Sequence, residues 1–266
     1  MPVGPARMPL LDHLSELRRR LTIIVVCVLL TTLVVYLATP VLIELLIDPI
    51  REFLPTDGMS VLSALGGFTI RFRVALFFAT IVCCPIIIFE VLGFFLPALK
   101  PSEQRWVAPT VAALVFLFFF GMVACYFVVL NAAFGWMLGQ TSDFANVLPN
   151  AEDYLGLIMN LELGFGFAFE LPLLVFYLSI LHVVSYKTFR QNWRVIYVVG
   201  LVLCAMITPD ASPITMFFMF SILIGLYEVS LTIARHVIVS RDGKEALKWS
   251  RAEYAEHKLD KELEEM

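Results

Sequence analysis

From Val195 to Ile233 the chain reads VIYVVGLVLCAMIT-PDASP-ITMFFMFSILIGLYEVSLTI. Two apolar runs, Val195–Thr208 and Ile214–Ile233, are separated only by Pro209-Asp210-Ala211-Ser212-Pro213. Neither run alternates apolar and polar residues, and both far exceed strand length, so both are helices. A helix facing water carries a polar face, and these have almost none, so their solvent is lipid. The two helices are joined too tightly to diverge and form a hairpin. Val195–Thr208 has 14 residues, which at 1.5 Å per residue reaches about 21 Å, short of a ~30 Å hydrocarbon core. Glu228 shortens the lipid-compatible part of its partner in the same way. Such a mismatch is relieved by thinning the bilayer locally or by recruiting other helices. The hairpin is expected to do one of these, with Asp210 sunk below the outer headgroup plane.

Four similar runs precede the hairpin: about 21–39, 74–96, 107–130, and 154–184, the last interrupted by Pro172. With the hairpin spans at about 195–208 and 214–233, the count is six. Composition agrees. Of 266 residues 60% are hydrophobic and 16% charged, against ~45–50% and ~25% for soluble domains. The net charge of −4 provides no basic field for nucleic acid. Soluble enzymes, disordered scaffolds and DNA binders are thereby excluded. The fold class expected is an all-α integral membrane protein, a concave kinked bundle with two short C-terminal spans. A membrane domain covers 1–234 and a charged, solvated tail 235–266.

Lys and Arg stay on the cytoplasmic side. With both termini inside, sixteen of the nineteen basic residues are cytoplasmic, and only Arg51, Arg71 and Arg73 are outside. Both termini are therefore cytoplasmic. Leu37-Ala38-Thr39-Pro40 offers no small-x-small cleavage site, so the first span reads as a retained anchor. The outer connection, 41–73, contains Asp48-Pro49, Leu54-Pro55 and Asp57-Gly58. It is expected to pack as a cap, with Pro49 structural and a core of Ile43, Leu45, Leu46, Ile50, Phe53 and Val61. The five cysteines fall inside apolar spans without metal spacing, as small apolar filler.

Glu90, Glu162, Glu170 and Glu228 all fall in spans, where an acid needs a partner, a wet cavity or the interface. Glu90 and Glu228 lie near span ends and are placed to reach headgroups. Glu170 precedes Pro172, whose missing N–H and ring bulk kink the helix, which argues for a carboxylate facing a polar concavity. On the cytoplasmic side, Leu10, Leu14, Leu17 and Leu21 mark an amphipathic start to the first helix. Asp12 and Glu16 lie one turn apart beside Arg18-Arg19-Arg20. Glu103 falls in the first turn of the third span, where capping alone would also suit a carboxylate.

Several blocks, taken together, resemble the TatC family, the polytopic receptor subunit of twin-arginine protein translocases. They are Met8-Pro9-Leu10 with His13-Leu14-Ser15-Glu16-Leu17-Arg18-Arg19-Arg20-Leu21, then Phe94-Phe95-Leu96-Pro97-Ala98-Leu99 with Glu103. Gly164-Phe165-Gly166-Phe167-Ala168-Phe169-Glu170-Leu171-Pro172 and Thr208-Pro209-Asp210 complete them. The resemblance implies that Glu16 and Glu103 bind the paired arginines of a signal peptide. Phe94, Pro97 and Leu99 would shape the site, and Arg18 would set Glu16's orientation or local field. Glu170, with Thr208 and Asp210, would contact single-span TatA- and TatB-type subunits. The implied setting is the bacterial inner membrane, with self-association, folded cargo and transport driven by the proton-motive force. Glu90 and Glu162 depart from the family pattern. No Gly-rich phosphate loop or metal ligand set is present, so no cofactor is expected. Six helices of ~10 Å diameter cannot enclose a pore for a folded protein, so the chain suits a receptor that nucleates a larger assembly. The rival reading is a proton-coupled secondary transporter using Glu162 and Glu170. The scattered histidines offer no Ser–His or His-x-x-x-His arrangement, which argues against an enzyme.

Overall fold

A computed structural model describes residues 10–55, 58–95, 107–140, 148–180, 184–207, 213–249, 253, 254 and 257. Ten α-helices carry these residues: α1 Leu10–Tyr36, α2 Thr39–Ile47, α3 Gly66–Phe95, α4 Val107–Ala124 and α5 Leu130–Gly139. They continue as α6 Ala151–Ala168, α7 Glu170–Ile180, α8 Tyr186–Gln191, α9 Trp193–Ile207 and α10 Pro213–Asp242. Among the described residues five apolar stretches are long enough to cross a bilayer: Leu14–Tyr36, Gly66–Phe94, Ala108–Gly139, Ala151–Ile180 and Thr215–Ser240. Trp193–Met206 is a sixth, shorter one. α1 lies against α3 and presents Leu33 and Val34, 70% and 71% exposed, to lipid. The innermost side chains include Phe134, Leu155, Ile158, Leu161 and Phe165, at the meeting of spans three and four.

Spans two and three are longer than their apolar signals suggest. α3 begins at Gly66, not Val74, because Ile70 and Val74 are buried while Arg71 and Arg73 face outward. The third span continues past Leu130 to Gly139 through a π turn at Cys125–Val129. A π turn holds an extra residue and shifts the phase of the helix beyond it. Tyr126 donates its hydroxyl to the Leu45 carbonyl (2.8 Å), and the Asn131 amide donates to Glu52 (2.6 Å). The outer end of this helix thus braces the cap.

The cap consists of α2 and a 3-10 turn, Asp48–Phe53, each opened by a proline, Pro40 and Pro49, at positions where a missing N–H is harmless. Leu46 and Ile50 are buried, and Ile43 and Phe53 pack against them. Leu45 and Val61, expected inside, are 50% and 48% exposed. Leu45 contributes only its backbone carbonyl. Ser60 donates its N–H to the Pro149 carbonyl and accepts from Ala151, tying the cap to the start of α6. Asn150 caps that helix by accepting from the Glu152 N–H.

Span four breaks where proline chemistry requires. α6 ends at Ala168 and α7 starts at Glu170. Pro172 provides no N–H for the Ala168 carbonyl, and its ring crowds that same carbonyl four residues back. α4 approaches this break very closely. A Cβ on Gly121 would lie 2.8 Å from the Phe165 carbonyl oxygen, and one on Gly166 would lie 2.7 Å from the Phe118 ring. Each glycine leaves room for an aromatic residue on the other helix. Hydroxyls of Thr110 and Tyr177 are hydrogen-bonded and join α4 to α7.

At the C-terminus, α9 has 15 residues and α10 has 30. Glu228 of α10 is paired with Arg190 of α8 (2.8 Å) and accepts from Tyr197 (3.0 Å). α8 is the cytoplasmic turn between spans four and five, so this ion pair marks the inner membrane surface. The phenol of Tyr186 and the Glu228 carboxylate hold the Arg190 guanidinium above its ordinary pKa. The part of α10 ahead of Glu228, Pro213–Tyr227, has 15 residues, about 22 Å, and the apolar stretch that begins at Thr215 runs on to Ser240. Beyond Glu228 the helix continues past the 234/235 boundary to Asp242 and buries Leu231, Ala234 and Ile238. Ala246, in the turn Lys244–Lys248, is buried against it. Gly200 of α9 sits against Leu223 of α10, the close approach that small residues permit between membrane helices.

Candidate functional site

The inner ends of α1 and α3 bring together Glu16, Arg20, Glu90, Gly93 and Phe94. Glu16 and Arg20 are four residues apart, so they share one face of α1. Arg20 donates from Nε (3.0 Å) and Nη2 (2.7 Å) to the same Glu16 oxygen, Oε1. Its third nitrogen, Nη1, donates to Oε2 of Glu90 on α3 (2.9 Å). The side chains of the triad are only 22%, 23% and 15% exposed for Arg20, Glu16 and Glu90, which weakens the competition from water. Glu90 therefore anchors one helix to another rather than reaching the headgroups. Phe94, half-buried, follows one turn beyond it.

Gly93 makes this arrangement possible. A Cβ there would overlap Nη1 of Arg20 and lie 2.9 Å from its Cζ. The guanidinium fills the space that the missing side chain leaves. Arg18, expected to orient Glu16, is exposed on another face of α1, and among the described residues its side chain makes no bond to Glu16. Two residues along a helix is about 200° of rotation, and the guanidinium bonded to Glu16 is that of Arg20. Pro97, Leu99 and Glu103 lie outside the described residues, as does the side chain of Asp12.

In the bundle interior the two acids of span four differ. Glu170 is half-buried in the first turn after the break. Glu162 is 4% exposed, and its Oε1 has no hydrogen-bond partner among the described residues. The fourth span therefore puts one carboxyl at a kink and one deep in the core. Thr208 and Asp210 lie outside the described residues. Cys83, Cys84, Cys125 and Cys204 are buried, and among the described residues no disulfide links the cysteines. Cys83 donates to Thr31 (3.3 Å) across the α1–α3 seam.

Residues 12–221 match the family model described as Sec-independent protein translocase protein (TatC). The chain belongs to the TatC family. A curated TatC protein of Deinococcus radiodurans is 30% identical over 238 residues, covering 88% of either chain. One from Carboxydothermus hydrogenoformans is 26% identical, over 86% of this chain and 94% of its own length. A crystal structure of the twin-arginine translocase receptor TatC is 28% identical. It superposes with a TM-score of 0.72 over 84% of this chain and 98% of the other. A second, in the detergent DDM, gives 0.73 over 84% and 99%. The TatC fold is thus the fold of this chain, which is a multi-pass protein of the bacterial inner membrane and a component of the Sec-independent protein translocase. The relatives are named as translocase proteins, a transport role rather than an enzymatic one.

Proposed function

We propose that this TatC-family chain is the receptor for twin-arginine signal peptides and binds them at its cytoplasmic face through Glu16 and Glu103. The observation that carries this reading is the state of Glu16. At the inner surface its carboxylate already takes two hydrogen bonds from one guanidinium fork. A carboxylate so placed suits arginine, which stays charged and presents paired donors; lysine offers a single compact charge. Phe94, Pro97 and Leu99 shape the remainder of the pocket. A second carboxylate, Glu103, lets two arginines be distinguished from one.

Glu170 at the kink, with Thr208 and Asp210 at the outer turn, is the contact for single-span TatA- and TatB-type subunits, which complete an assembly driven by the proton-motive force. The division into a membrane domain, 1–234, and a charged tail, 235–266, belongs to the same reading. Crosslinking tests it. A photoreactive residue beside Arg-Arg in a signal peptide labels 10–20 and the loop at 96–106, and Lys-Lys in place of Arg-Arg removes the label. Equal labelling with Lys-Lys rejects guanidinium recognition.

A further inference from the structure

Resting on that reading of Glu16, we propose that Arg20 is a built-in occupant of the peptide-binding carboxylate and that Glu90 is the acceptor that takes it over when a peptide guanidinium arrives. Glu90 and Gly93 thereby set the affinity for the peptide.

Three observations carry this. First, the guanidinium and one oxygen of Glu16 are already engaged. Arg20 applies two of its nitrogens to Oε1 of Glu16 and one to Glu90, so an incoming guanidinium that forks across both Glu16 oxygens has to displace Arg20 from Oε1. Second, the triad carries two negative charges and one positive. One unit of negative charge remains in the triad to receive one peptide arginine. Among the described residues, Arg20 is bonded to only one oxygen of each carboxylate. Glu90 therefore retains a second acceptor oxygen for the nitrogens that Glu16 would release. Third, Gly93 provides the space. Because it has no Cβ, the Arg20 head lies flat against α3 within reach of Glu90. An alanine would push the head back toward Glu16 without altering any charge.

An arginine shared between two acids is a weak competitor. Confined to one, it is a strong one. Glu90 thus acts on recognition through Arg20, as a positioning residue, and not by touching the peptide.

The experiment measures the dissociation constant of a labelled Arg-Arg signal peptide for the full chain in lipid nanodiscs. Glu90→Gln and Gly93→Ala are expected to weaken binding by a similar factor, about fivefold each, since partly exposed charge pairs are worth that order of change. Arg20→Gln is expected to tighten it by a comparable factor. In the Arg20→Gln background, Glu90→Gln and Gly93→Ala are expected to change binding by about twofold or less, because the competitor they act through is gone. If Arg20→Gln weakens binding as Glu90→Gln does, the triad is a strut and the proposal fails. If Glu90→Gln costs the same factor with and without Arg20, or Gly93→Ala has no effect, Glu90 is only a distant charge and the proposal fails. Glu16→Gln separates the two levels. Loss of Arg-Arg binding there with the wrong pattern at Glu90 sinks this inference alone, whereas unchanged binding sinks the receptor reading itself.

Discussion

Adding one methyl group at Gly121 tests the packing that fixes the break in span four. The new Cβ would lie 2.8 Å from the Phe165 carbonyl oxygen and 2.9 Å from Cγ of Phe169. Ordinary contact is about 3.5–4.0 Å, so α4 and α6 must part by several tenths of an ångström. The near atom is backbone, in the last full turn before the break, and cannot rotate away. Forcing a methyl group into such a seam costs about 1–3 kcal/mol. Gly225→Ala is the matched control: that glycine is exposed on α10 and a Cβ there meets nothing within 4 Å. Alanine in an open helical position gains roughly 0.5–1 kcal/mol from propensity. The same chemical change therefore has opposite signs at the two sites. Thermal unfolding in detergent reads the difference: Gly121→Ala melts below the parent, and Gly225→Ala at or above it. Equal midpoints for the two variants would refute the close approach of α4 to the break.

Other outcomes follow from single contacts. Glu162→Leu should leave the unfolding midpoint unchanged or raise it. A buried carboxyl whose Oε1 lacks a protein partner costs about 1–3 kcal/mol, and the rival proton-relay reading requires instead that transport be lost. Asn131→Ala should lower the resistance of the cap to proteolysis, corresponding to about 1 kcal/mol for the lost bond to Glu52. Cleavage rates after that change that match the parent would detach the outer end of α5 from the cap. A spin label at residue 226 should report lipid depth and one at 236 water, since the Arg190–Glu228 pair marks the inner surface; lipid depth at both would move the boundary.

The six spans were legible because lipid demands continuous apolar length, and Leu21, Val107 or Val195 announces such a run. The extensions were not, because single polar residues interrupt the apolar run there. Arg71 and Arg73 read as the end of a loop, although Ile70 and Val74 continue the buried face of α3 beneath them. Asn131 read as a terminus, although it is a strut to Glu52. The break at Glu170 was readable from Pro172 alone. The triad was half readable. Glu16 and Arg20 stand at helical spacing in the sequence, but the pairing of Arg20 with Glu90 depends on how α1 and α3 are rotated against each other. Spans that are apolar all round carry little record of that rotation. A glycine at 93 facing a charged neighbour was the one local sign, and it acquires meaning only beside α1.

The central claim is that Glu16 reads a guanidinium, and one ratio tests it directly: the affinity for an Arg-Arg signal peptide divided by that for its Lys-Lys counterpart, measured on the nanodisc-embedded chain with and without Glu16→Gln. The account predicts a preference of about tenfold or more in the parent, as charge-assisted forked bonds allow, falling close to one in the variant. A preference that survives the loss of the carboxylate would contradict it.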